Sequence, residues 1–142
     1  MRVVIDSSVV VAALVTPNPE SASRVVLAAV AAGAVEMVIT DELEAEYRRA
    51  VEYSHVKRYS AKVDRQGFVD AIVAAAERLD AGSAAGAVSA DPDDDKAVAA
   101  AAVAGRAAVV VTLDRHLLGL AGLAGLRVLR PGDFLRELRT KG

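Results

Sequence analysis

Two short runs of branched apolar residues, Arg2–Ile5 at the amino terminus and Ala108–Thr112 far along the chain, constrain the fold more than any other feature. Arg2–Ile5 is too brief for a helix and reads as a buried parallel strand, and Ala108–Thr112 is the most strand-like run of all. Asp6 follows the first directly, and Asp114 follows the second by two residues. If both strands belong to one parallel sheet, the two carboxylates project from the same edge, where open α/β sheets bind their ligands.

The remaining pattern alternates in the way such a sheet requires. Ser7 or Ser8 is suited to cap a helix beginning in VVVAAL, which Thr16-Pro17-Asn18-Pro19 then breaks. Glu20–Ala32 has helical spacing and ends at Gly33. Val35–Thr40 is a second strand, after which Thr40 or Asp41 caps a helix to about Tyr53 with Leu43, Tyr47, Ala50 and Val51 on one face. Ser54–Lys62 is mixed and basic, Val63–Leu79 is helical in spacing, and Ala81–Ala90 is a loop with one short strand around Ala87–Ser89.

Asp91 and Pro92 suit the cap and first position of an alanine-rich helix reaching Ala104 and stopping at Gly105. Leu117–Leu123 reads as a short helix, Arg127–Leu129 as an edge strand, and Pro131-Gly132-Asp133 opens a last amphipathic helix over Phe134–Arg139. Strands alternating with helices imply an α/β sandwich around a parallel sheet.

At 142 residues, 54% hydrophobic and 25% charged, the chain is expected to form one domain over 1–142 with a single core. It has no cysteine, which removes disulfides, thiolate metal sites and cysteine nucleophiles. MRVVIDSS lacks the apolar core of a secretory signal, and no apolar run approaches the roughly 20 residues of a membrane span, so a cytoplasmic protein is expected. The net charge of −2 argues against a polyanion-binding surface all round. Basic residues nonetheless gather in Arg48–Arg65 and again in Arg127–Lys141.

The acids carry the chemistry. Asp91, Asp93, Asp94 and Asp95 fall within five positions at a helix start. One acid there is stabilised by about 0.3–1 kcal/mol, but several repel one another unless a cation sits among them. Oxygen ligands with only two histidines, His55 and His116, favour Mg²⁺ or Mn²⁺ over zinc. A carboxylate-held pair of such ions suits phosphodiester hydrolysis, which points to a nuclease.

VVIDSSVVVAAL, TDELEAEYRRAV, DPDDDKAVAAAAVAG and VVVTLDRHLL, in that order, resemble the PIN domain, in the VapC-like subgroup of toxins from bacterial and archaeal toxin–antitoxin systems. The resemblance runs from Met1 to about Arg136. It implies a three-layer α/β/α sandwich with a central, mostly parallel sheet of about four to five strands. It also implies Mg²⁺- or Mn²⁺-dependent cleavage of RNA, a homodimer, and an antitoxin that covers the groove.

Matched residue by residue, the resemblance assigns the metal-binding acids to Asp6, Glu46, Asp94 and Asp114. Glu46 is chosen by the resemblance alone, since Glu42 and Glu44 share its helix. Ser7 matches a hydroxyl position near the metal. Ser8 replaces the asparagine common after the first acid, and Leu113 and His116 replace a glycine and an acid often found around the last. Ser8 can still donate a hydrogen bond to a carboxylate. Ser7, Ser8, Asp91, Asp95 and Thr112 are the expected supporting residues around the ion.

Plainer readings compete. Asp91, Asp93 and Asp95 suit cap and solvated acids, and His55 and His116 surface residues. The basic run is by default a solvated helix face, with Tyr53 and Tyr59 as its base-stacking candidates. Two rival functions stand beside the toxin nuclease: an RNA-processing PIN nuclease without an antitoxin, and a noncatalytic α/β interaction module. A haloacid-dehalogenase-type phosphotransferase needs an acid two positions after Asp6, where Ser8 stands.

Overall fold

The structure is a computed structural model and describes residues 1–80, 102, 105–119 and 127–141. Along the chain the elements are β1 (Arg2–Ile5), α1 (Ser7–Val15), α2 (Ala22–Ala31), β2 (Glu36–Ile39), α3 (Asp41–Ala50), α4 (Ser54–Tyr59) and α5 (Arg65–Ala75). They continue with β3 (Glu77–Arg78), β4 (Val109–Val111), α6 (Arg115–Leu118), β5 (Val128–Leu129) and α7 (Pro131–Lys141).

The five strands form one sheet in the order β3-β2-β1-β4-β5. Every pairing is parallel, with Val3 opposite both Met37 and Val109, and Ile5 opposite Val111. Val3, Val4 and Ile5 are buried without exception. Successive strand residues point to opposite faces, so β1 is covered on both. The result is a three-layer α/β/α sandwich. The chain winds outward from β1 through β2 to β3 and then returns to β4 on the other side. The reversal lies between β1 and β4, and its crevice opens at their carboxyl ends.

The caps explain where most helices begin. Thr40 Oγ1 accepts from Leu43 N at 3.2 Å, and Ser21 Oγ accepts from Arg24 N at 3.3 Å. The first helix corrects the expectation from sequence: Ser7 and Ser8 are its first helical residues, and the cap is Asp6. An aspartate caps as well as a serine, so residue preference does not choose between neighbours; the end of the β1 ladder does.

Leu43, Tyr47, Ala50 and Val51 are all buried, as their spacing predicts, and Glu46 is buried among them. Two elements were not anticipated. The basic stretch after Tyr53 contains α4, anchored by buried Val56. The expected helix to Leu79 instead ends at Ala75, and Glu77–Arg78 joins the sheet edge beside β2. Arg78 is held there by ion pairs to Asp41 and Glu44, which local periodicity cannot foresee.

Two helix ends share one geometry. Gly33, at φ +78, follows α2, with Ala34 N donating to Ala29 O at 2.9 Å. The same six-residue bond runs from Ala107 N to Ala102 O at 3.0 Å, and there the left-handed residue is Arg106, at φ 49. Gly105 is therefore not the left-handed stop. A Cβ on Gly105 would lie 2.7 Å from Val38 Cγ2 and 3.1 Å from Leu79 Cδ1, so glycine lets the backbone approach β2. The helix expected over Leu117–Leu123 begins earlier, at Arg115, and reaches its C-cap at Gly119; the expected loop at Ala81–Ala90, most of the helix expected from Asp91, and residues 120–123 lie outside the described residues.

Candidate functional site

Asp6 stands at the carboxyl end of β1, with its backbone N donating to Val111 O of β4 at 2.9 Å. Its side chain is 4% exposed. Asp6 Oδ2 accepts from Ser8 Oγ at 2.6 Å, from Thr112 Oγ1 at 2.8 Å and, weakly, from Ser8 N at 3.4 Å. Among the described residues, Oδ1 has no donor. One carboxylate oxygen is thus immobilised by hydroxyls.

The two hydroxyls are themselves oriented by the backbone. Leu113 N donates to Ser8 Oγ at 3.0 Å, and Asp114 N donates to Thr112 Oγ1 at 2.9 Å. Each hydroxyl therefore accepts from β4's trailing backbone and spends its proton on Asp6. Thr112 is fully buried. Asp114 caps α6, its Oδ1 accepting from His116 N at 2.7 Å, while Oδ2 has no donor among the described residues. Asp6 and Asp114 thus belong to a single hydrogen-bonded unit across the β1–β4 reversal.

The third acid arrives from α3. Glu46 is 5% exposed, and its Oε1 accepts from Ser7 Oγ at 3.0 Å. The next residue, Tyr47, is fully buried and donates its hydroxyl to Ile5 O, the last carbonyl of β1. Burial first, then the negative charges of Asp6 and Glu46, push the Tyr47 phenol well above its ordinary pKa. Both carboxylates therefore act on one buried hydroxyl. Sequence reasoning placed Tyr47 in the core and missed this tie; the available signal was a polar tip adjacent to Glu46 on an apolar helix face.

Asp6, Glu46 and Asp114 come from three separated segments to one sheet edge. Asp94 and its neighbours Asp91, Asp93 and Asp95 lie outside the described residues. Among the described residues, no three His, Cys, Asp or Glu side chains form a group that could hold a metal ion. What is present still fits part of a hard-cation site. The donors are carboxylate oxygens, two of the acids are buried, and Asp6 and Asp114 each keep one oxygen without a donor among the described residues.

The basic segments are neutralised in part. Arg48 contacts Glu44 at 3.0 Å and Asp70 at 2.8 Å, Arg65 contacts Glu52 at 3.3 Å, and Arg127 pairs with Glu137. Tyr53 and Tyr59 are exposed, and Tyr53 stacks on His55 with ring centroids 6.1 Å apart. Among the described residues no helix is long and apolar enough to cross a membrane.

Comparison with known proteins agrees with this architecture. A search of curated protein sequences returns no match. Among solved structures, the chain is similar to the crystal structure of VapBC2 from Rickettsia felis bound to a DNA fragment from their promoter. The TM-score is 0.61 at 18% identity, covering 90% of this chain and 97% of that one, a likeness of fold. The family profile described as PIN domain matches residues 2–116, which include β1, the Glu46 helix and Asp114. This chain belongs to the PIN domain family.

Proposed function

We propose that the protein is a Mg²⁺- or Mn²⁺-dependent endoribonuclease and the toxin component of a toxin–antitoxin pair, with Asp6, Glu46, Asp94 and Asp114 as its metal-binding acids. PIN domains are in general nucleases, and the family assignment supports hydrolysis of phosphodiesters. The observation that carries the reading is Asp6: a buried carboxylate at the β1–β4 reversal, held through one oxygen by Ser8 and Thr112 and, among the described residues, without a donor at the other.

The chain's own residues do the positioning. Ser8 and Thr112 fix the Asp6 carboxylate plane, and the backbone of Leu113 and Asp114 fixes the hydroxyls. Ser7 orients Glu46 in the same manner. A divalent ion held by these carboxylates would supply an activated water and neutralise charge at the phosphate. Asp91 and Asp95 are assigned supporting roles beside Asp94.

The deciding experiment is metal-titrated cleavage of single-stranded RNA by wild type and by Asp94→Asn. The variant should lose Mn²⁺-dependent cleavage while retaining its fold; equal activity would defeat the assignment. The toxin reading, cytoplasmic and homodimeric, requires a separate antitoxin. Expression of this chain alone should arrest growth, and co-expression of a small protein encoded beside it should relieve the arrest. Cleavage without arrest would favour an RNA-processing role.

A further inference from the structure

We propose that the cleft of about 370 Å³ beyond the carboxyl ends of β4 and β5 binds a phosphodiester of the RNA strand flanking the scissile bond, with Arg130 as its anchor. This rests on the nuclease reading and adds to it where the substrate lies. The volume is within the range of small-ligand sites, about 300–1,000 Å³.

Position comes first. Leu113 lines the cleft one residue before Asp114, and Arg130 lines it immediately after β5, which pairs with β4. On the other wall stand Thr16, the C-cap of α1, and Ser21, the N-cap of α2. Helix α1 begins at Asp6 and ends at Thr16, so it runs from the acids to the cleft. On this proposal, a strand whose reacting phosphate sits at Asp6 and Asp114 passes over this opening.

The cleft presents donors. Thr16 Oγ1 accepts from Asn18 N at 3.2 Å and Ser21 Oγ accepts from Arg24 N at 3.3 Å. Among the described residues neither hydroxyl donates to a protein acceptor, so each keeps its O–H for a ligand. Among the described residues Asp133 is the one lining acid, and it is engaged by Arg136 at 2.8 Å. Arg130 has no ion-pair partner among the described residues. A guanidinium unpaired among the described residues, with two hydroxyl donors beside it, suits a singly charged group bearing only acceptor oxygens; a phosphodiester is such a group, and it is the one that the nuclease reading brings to this edge.

The test uses full-length protein and a short fluorescein-labelled single-stranded RNA, without added divalent ion so that it stays intact. Arg130→Ala should weaken binding about tenfold and reduce the salt slope of log K by about 0.7. The exposed Arg139→Ala, also on α7, should leave both near wild type. In a separate Mn²⁺ cleavage assay, Arg130→Ala should raise KM and spare kcat. Wild-type binding and salt slope in Arg130→Ala, with cleavage intact, would overturn this inference alone. Selective loss of binding to a polyglutamate peptide by that variant, with RNA binding unchanged, would also overturn it in favour of an acidic protein ligand. Failure of wild type to bind or cleave RNA would overturn the nuclease reading itself and this inference with it.

Discussion

Thr112→Val probes the unit that joins Asp6 to Asp114. Valine has nearly the shape of threonine but no hydroxyl, so the change leaves packing intact and removes two hydrogen bonds, together with a long 3.3 Å contact to Ser8 Oγ. The bond from Thr112 Oγ1 to Asp6 Oδ2, 2.8 Å long and fully buried, is to a carboxylate and contributes about 1.5–3 kcal/mol. The Asp114 N–H, 2.9 Å from the same hydroxyl, loses its acceptor, but Asp114 is only half-buried and water replaces part of that, leaving a loss of about 0.5–1 kcal/mol. Stability should fall by about 2–4 kcal/mol in urea denaturation, with the slope m unchanged.

Thr112→Ser is the control, since it keeps the hydroxyl and should cost about 1 kcal/mol for the missing methyl. A cycle with Asp6→Asn isolates the coupling: if the cost runs through the carboxylate, the two changes together should cost at least 1 kcal/mol less than their sum. A loss below about 0.5 kcal/mol in Thr112→Val, or strict additivity with Asp6→Asn, would show that the hydroxyl does not restrain Asp6.

Three further outcomes are expected. Gly105→Ala should lower stability by about 1–3 kcal/mol, because its Cβ meets Val38 at 2.7 Å. Gly33→Ala has open space and should lose only about 1 kcal/mol from its left-handed backbone; equal melting temperatures for wild type and both variants would refute both accounts. Tyr47→Phe should lose about 1 kcal/mol at neutral pH with the bond to Ile5 O. Since the folded phenol titrates well above the unfolded value of about 10, the wild type carries a contribution that is whole below pH ~10 and declines as pH rises beyond it. A wild-type pH–stability curve that runs parallel to that of Tyr47→Phe above pH ~10 would contradict this. Millimolar Mn²⁺ should raise the wild-type melting temperature by preferential binding to the native state, by roughly 2.7 kcal/mol at a hundredfold excess over Kd. Asp6→Asn, which still caps α1, should abolish the shift, and no shift in wild type would count against an acid-rich metal site.

Much of this architecture was readable from residues because parallel strands are buried on both faces and so announce themselves as short apolar runs. Arg2–Ile5, Glu36–Ile39 and Val109–Val111 fall inside the runs identified, and the acids at their carboxyl ends follow from parallel pairing. Elements whose stability is tertiary were missed. β3 has two exposed residues and exists because Arg78 reaches Asp41 and Glu44, while α4 rests on the burial of Val56. Glycine misled at Gly105, where the demand is for close approach to Val38 and the left-handed residue is Arg106. At the candidate site, the placement of Asp6 and Asp114 at one sheet edge was legible from spacing, whereas Glu46 could not be separated from Glu42 and Glu44 without the family. Its burial, and the Ser7 bond, are properties of how α3 lies on α1.

The central strand is the first to be synthesised, and that orders events during translation. β1 pairs with β4 through Val3 and Val109, and Asp6 receives its Thr112 hydroxyl only once β4 is in place. At about 5–20 residues per second, the ribosome needs roughly 5–20 s after Val3 to deliver Val109. Until then a nascent chain carries Asp6 but not the Thr112 hydroxyl that orients it. On the proposed activity, topology keeps a nascent chain from completing its site until the strand bearing Thr112 has been made.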